Sequence, residues 1–253
     1  MKRLLLLLLL LLGPTLVWGE DFSGQLGSVN PEQTITLNED FMSGFTGSNT
    51  IGALGWSFGV SGGGAVTITN VADVANHPAG RNISLSAVLN SIGVFNLGNF
   101  GANWSTATLS ELFDTTWVVR PQSNTDQELR IGSGIIATAA SPPTNGIYFE
   151  QDTGGANPTV WQCVTRSLST STTTVTAITV SNATWYKLRI HRSALTNVAF
   201  YIDGVLACTH TTNVPSGVTA NNSFVIQIEN LAALAAKNID IDSFNLKITG
   251  LTR

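Results

Sequence analysis

From Thr34 onward, apolar and polar residues exchange places at every second position, in short runs broken by Gly, Asn, Pro and Ser. Successive side chains of a strand point to opposite faces, so this period sorts an inside from an outside. In "TWYKLRIH", Tyr186, Leu188 and Ile190 share one face, and Lys187, Arg189 and His191 the other. "VAFYIDG" sends Val198, Phe200 and Ile202 inward, and "SFVIQIEN" sends Phe224, Ile226 and Ile228 inward. No long stretch before Asn230 sustains a helical period; the one helix-like piece is the short "LAALAAK". Many short strands at this spacing predict an all-β sandwich or barrel.

Two local features sharpen that expectation. Asp203-Gly204 joins two alternating runs, which predicts a two-residue hairpin turn of the primed type, with positive φ at both positions. In "NIDIDSFNLKITG" the inward parity changes, from Ile239 and Ile241 to Phe244, Leu246 and Ile248. One extra residue in the strand does this, so a β-bulge is expected near Asp242-Ser243.

The first residues, "MKRLLLLLLLLLGPTLVWGED", read as a leader. Lys2 and Arg3 precede the apolar run Leu4 to Leu12, Gly13-Pro14 breaks it, and Val17 and Gly19 suit a signal-peptidase site, so residues 1–19 are expected to be cleaved. The apolar run is too short to cross a bilayer, and no other stretch comes close. No membrane insertion is expected after cleavage, and the expected setting is secreted, extracellular or on a virion surface. Residues 20–33 lack periodicity and read as an arm or linker. Residues 34–253 are expected to form one sandwich, since such sandwiches often reach this size as one domain.

Charged residues make up only 11% of the chain and the formal net charge is −4. Average proteins carry about twice as many charges. Nucleic acid and anionic membranes are held mainly by Lys and Arg, so neither is an expected partner. Self-association into a homo-oligomer stays open. Cys163 and Cys208 both fall in expected strands, and an exported chain meets an oxidising compartment, so a disulfide is favoured over two buried thiols. Asn-x-Ser/Thr sequons at Asn82, Asn103, Asn182 and Asn221 are ordinary for so Thr-, Ser- and Asn-rich a chain.

The run "GIYFEQ…WQCVTRS…TWYKLRIH…VAFYIDGVLACTHTTNVP…NIDIDSFNL" resembles the concanavalin A-like lectin/glucanase superfamily in its laminin-G-like form. "LNEDFMSG" is similar to the opening strand of such domains. The likeness is closest after Gly146 and looser between about residues 45 and 140. It implies a jelly roll of two antiparallel sheets, of the kind seen in phage virion and secreted bacterial proteins. Fold does not fix function, because members bind sugar, cleave it or only build particles.

Enzymes of that superfamily place three carboxylates along one strand. Here Glu150 and Asp152 in "FEQDTGG" come nearest, with Gly154 and Gly155 where a third would stand. Asp240 and Asp242 share a face without a Glu, and Glu39-Asp40 are adjacent. These pairs read as solvated faces or turn caps. His77, His191 and His210 have no metal spacing, and "SGGG" at 61–64 lacks the lysine and following helix of a phosphate cradle.

The resemblance implies calcium as a possible cofactor, held through loop oxygens, and Asp152, Asp126 and Asn145 are the candidates. Sugar recognition needs exposed aromatic faces beside polar groups. Tyr201, Asp203, Trp161, Tyr148 and Trp104 are the candidate ligand-binding residues, whereas Trp56, Trp117 and Trp185 read as core or core edge. The expected function is a non-catalytic binding or adhesion module for cell-surface or extracellular glycan. A structural or decorating component of a virion or surface layer comes second, and a glycoside hydrolase third.

Overall fold

Alternation becomes two stacked sheets. A computed structural model describes residues 33–41, 50–71, 77, 80–97, 112–134, 142–216 and 223–251. The expected leader, nearly all of the arm, Trp104, Asn103 and Asn221 lie outside the described residues. Sixteen strands run in chain order: β1(Gln33–Glu39), β2(Thr50–Ile51), β3(Trp56–Ser61), β4(Val66–Asn70), β5(Arg81–Leu85), β6(Ile92–Asn96), β7(Leu112–Pro121), β8(Gln127–Gly134), β9(Gly146–Asp152), β10(Val160–Ser167), β11(Thr170–Thr179), β12(Tyr186–Ala194), β13(Asn197–Ile202), β14(Val205–His210), β15(Ser223–Asn230) and β16(Lys237–Leu251).

Sheet A has the order β14-β13-β12-β7-β16-β5-β4, with β1 also paired to β16; sheet B has the order β11-β10-β9-β8-β15-β6-β3-β2. Every described pairing is antiparallel. The two sheets form a sandwich, and no described residue is helical. "LAALAAK" is therefore a correction: residues 231–235 are turns and bends. Asn230 explains it, because its amide donates to the carbonyls of Ser86 and Ala235 and its side-chain oxygen accepts from the Ala232 N–H, closing a turn in place of a helix.

The inward faces agree with the parity read from sequence. Tyr186, Leu188, Ile190, Val198, Phe200, Ile202, Phe224, Ile226 and Ile228 are all buried. So are Trp56 and Trp117, which pack with Phe244 at centroid distances of 4.8 and 4.5 Å. Edge-to-face and tilted ring pairs of this kind add to the burial of apolar area.

Asp203 and Gly204 have φ of 52° and 83°, and Ile202 pairs with Val205, so the hairpin turn is the expected one. The bulge is also where parity placed it: Ile241 pairs with Val119 and Ser243 with Val118, leaving Asp242 extra. The bulge has a topological role. Before it β16 lies between β7 and β5, and after it between β7 and β1.

Cys163 of β10 and Cys208 of β14 are bridged, which ties sheet B to sheet A. One glycine is set by close approach. Gly132 pairs with Tyr148, and a Cβ there would lie 2.3 Å from the Ile147 carbonyl oxygen and 2.7 Å from the Tyr148 Cα. Neither backbone atom can yield without shifting β9. Gly132→Ala is expected to cost about 3 kcal/mol, read as a lower urea midpoint with an unchanged slope.

Candidate functional site

Four central strands of sheet B carry polar residues on the face turned away from the core. Leu129 and Ile131 of β8, Phe149 of β9, Trp161 and Cys163 of β10, and Ile226 and Ile228 of β15 point inward. Their neighbours therefore point out, and strand register arranges them in rows. Gln162, Glu150, Arg130 and Gln227 form one row across β10, β9, β8 and β15. Asp152, Glu128 and Glu229 form the next, and Tyr148 lies in the row on the other side. Strands spaced about 4.8 Å apart bring such neighbours into direct contact.

Arg130 is the hub. Its Nε donates to Glu150 at 3.0 Å, one terminal nitrogen donates to Gln227 at 3.4 Å, and the other donates to Glu128. Asp152 of β9 and Glu229 of β15 stand opposite Glu128 in register. Burial is the main cause that pushes the Glu128 carboxyl up to about 8, Arg130 opposes the rise, and Glu150 and Asp152 add to it. Glu128 thus keeps its proton at neutral pH. Burial also works against charge on Arg130, but Glu128 and Glu150 outweigh it and hold the guanidinium above its ordinary value. Burial raises the Glu229 carboxyl and, with Glu150, the Tyr148 phenol.

A carboxyl raised in the folded state adds stability that is complete below its unfolded value and is lost as pH climbs through its folded value. For Glu128 that window runs from 4.5 to about 8. At ~1.4 kcal/mol per pH unit the loss is at most about 5 kcal/mol. Urea midpoints at pH 5 and pH 9 are expected to differ much less in Glu128→Gln than in the parent chain.

The residues expected to bind ligand fall in separate places. Trp161 is a correction. It is fully buried, packed against Phe149 and Tyr186, because it shares the inward parity of Cys163. Tyr148 is on the outer face of sheet B but only 3% exposed, since its ring lies against Gly146. It can border a site but not offer an open ring face, which also corrects the expectation of exposure.

Tyr201 and Asp203 are on sheet A. Arg189 sits 5.0 Å over the Tyr201 ring while bound to both carboxylate oxygens of Asp114, at 2.8 and 2.6 Å. One face of Tyr201 is therefore already taken. Asp203 accepts a hydrogen bond from the Lys187 N–H at 2.8 Å, which ties the β13–β14 turn to β12. Two hollows, of about 250 Å³ beside Asp114 and His191 and about 730 Å³ beside Lys187 and Asn245, mark this second face.

The expected calcium ligands do not converge. Asn145 precedes β9 and Asp152 ends it; β9 is seven residues long, so at about 3.3 Å each they stand about 20 Å apart. Asn145 is buried and accepts from the Leu168 N–H, and Asp152 accepts from the Gly154 N–H. Asp126 faces Lys237 at 4.0 Å. No group of three metal-ligating side chains occurs among the described residues.

The other carboxylate pairs are structural. Glu39 is buried and accepts from the N–H groups of Phe41 and Leu54. Asp240 gathers Asn82, Arg120 and Gln122, and Asp242 meets His77 at 3.1 Å. His210 is buried between Thr165 and Thr174, at 3.0 and 2.9 Å.

A model of the family described as "SO2946-like, C-terminal domain" matches residues 76–242, well over half of the chain. The chain belongs to this family. The crystal structure of SO2946, a protein of unknown function from Shewanella oneidensis MR-1, superposes with a TM-score of 0.59 at 19% identity, over 87% of this chain and 89% of that one. The binding domain of botulinum neurotoxin DC, solved in complex with rat synaptotagmin II, gives 0.51 at 12% identity, covering 83% of this chain and 47% of that one. A botulinum neurotoxin type C structure, from work tying cell entry to interaction with two ganglioside molecules, gives 0.51 at 13%, also over 83% and 47%. This SO2946-like chain thus spans about half the length of the toxin chains it matches. At these identities the likeness is one of fold. No curated protein matches the chain.

Proposed function

We propose that this SO2946-like domain is a non-catalytic binding module for cell-surface or extracellular glycan, working through the outer face of sheet B. One observation carries the reading: polar side chains from four adjacent strands are drawn into one hydrogen-bonded patch on a face the core does not need. Glu150 and Asp152, half-buried, offer acceptors at its accessible side, with Glu128 and the neutral amide of Gln162 buried beside them. Donors and acceptors at this spacing suit the hydroxyls of a sugar chain. The toxin neighbours, whose descriptions name a complex with synaptotagmin II and interaction with gangliosides, are consistent with a binding role for the fold. An extracellular setting follows from the leader and is part of the proposal.

Hydrolysis has one specific observation in its favour, the protonated Glu128 beside Glu150. The geometry opposes it. Glycosidase carboxyls stand about 5 Å apart, or about 6.5–9.5 Å with an intervening water. Arg130 donates to both Glu128 and Glu150, so the guanidinium sits where a glycosidic bond would have to lie between them.

A glycan array tests the proposal. The parent protein is expected to bind at least one surface or extracellular glycan, with the signal lost in Glu150→Gln and no product released. Absence of binding on the whole array, with self-assembly in solution, favours the structural role instead.

A further inference from the structure

We infer that the sheet B patch selects a glycan bearing a free amino group, with the ammonium seated among Glu229, Glu128 and Glu150, over neutral or acidic sugars. This rests on the glycan reading above and names the ligand class.

The observation behind it is an oxygen without a partner. Glu229 is only 3% exposed, and its Oε2 has no hydrogen-bond partner. Arg130 does not supply one. Its side-chain hydrogen bonds run to Glu150, Gln227 and Glu128, and none reaches Glu229. A buried acceptor left unmade is costly, so the patch is built for a donor it does not itself contain.

Charge decides which donor. Glu128 and Glu150 share one guanidinium, and Asp152 and Glu229 stand on either side of Glu128 with no second cation beside them among the described residues. A sugar hydroxyl would satisfy Oε2 but leave the charge uncompensated. An ammonium donates three hydrogen bonds and offsets a carboxylate as well. A carboxylated sugar would meet like charge. The way in runs past Glu150 and Asp152, which are half-buried, and past Glu128, whose side chain is 10% exposed.

The proton on Glu128 adds a signature. Facing Glu128 are Arg130 on its own strand, Glu150 and Asp152 from β9, and Glu229 from β15. An ammonium placed there favours the ionised carboxyl. Binding then releases the Glu128 proton to solvent, leaving a carboxylate paired with the bound ammonium.

Calorimetric titration at pH 6.5 with a glucosamine tetrasaccharide, its N-acetylated counterpart, sialyllactose and tetralysine tests this. The free-amine sugar is expected to bind at least about 10-fold tighter than the acetylated one, with sialyllactose undetected. Glu229→Gln should lose at least about 10-fold of that affinity while melting at or above the parent temperature, because it removes a buried carboxylate whose Oε2 has no donor. Asp152→Asn keeps the turn cap on Gly154 and should weaken binding less, giving a folded second variant. Titrations in two buffers should show less proton release in Glu128→Gln than in the parent.

Equal or tighter binding of the acetylated sugar, binding of sialyllactose, or full affinity in Glu229→Gln overturns the inference while the glycan reading stands. Tetralysine binding as tightly as the free-amine sugar also overturns it, in favour of a basic peptide. Binding of none of the three sugars removes the glycan reading for these classes and this inference with it.

Discussion

Arg130→Leu is expected to destabilise the protein by about 3–5 kcal/mol, the largest effect of any single change in the sheet B patch. The guanidinium compensates carboxyls on three strands: Glu128 of β8, Glu150 of β9 and Glu229 of β15. Without it Glu150 and Glu229 lose the nearest cation and Glu128 loses its buried donor. Part of the loss is recoverable, because neutralising the partners removes the reason for the cation. The triple variant Arg130→Leu, Glu128→Gln, Glu150→Gln is expected to be more stable than Arg130→Leu alone. Urea unfolding at pH 7 measures both. A near-neutral single variant would mean the patch is solvated and carries no buried charge.

The second large effect concerns the link between sheets. The Cys163–Cys208 bridge closes a separation of 45 residues. Chain-entropy reasoning puts its contribution at about 4 kcal/mol for a loop of that length. The paired variant Cys163→Ser, Cys208→Ser is expected to lose that amount in equilibrium unfolding, and the parent protein a similar amount under full reduction. The hydrogen bonds from His210 to Thr165 and Thr174 span the same gap, so the variant should unfold at lower denaturant yet remain folded in water.

Much of the fold is legible because alternation is a local property. The inward faces of β12, β13 and β15 follow from reading every second residue. The turn at Asp203-Gly204 and the bulge at Asp242 follow from residue type and a change of parity. The trace for Trp161 was present as well: it shares parity with Cys163, and a residue two places from a buried cysteine points the same way.

The site is less legible for a different reason. That Glu128, Arg130, Gln227 and Glu229 face outward can be read from their own strands. That they form rows cannot, because β8 and β15 meet across a long separation in sequence, and a slip by one residue would turn every one of them inward. Register is a property of the folded pair. Asn145 and Asp152 could not be seen to be apart without knowing that one strand of seven residues separates them.

Backbone amide shifts during titration with a bound oligosaccharide test the placement of the site most directly. The expected perturbations cluster at Glu128–Arg130, Tyr148–Asp152 and Gln227–Glu229, with sheet A unmoved. Perturbations confined to Asp114, Arg189, His191 and Tyr201 would put recognition on the opposite face and contradict the role given to sheet B.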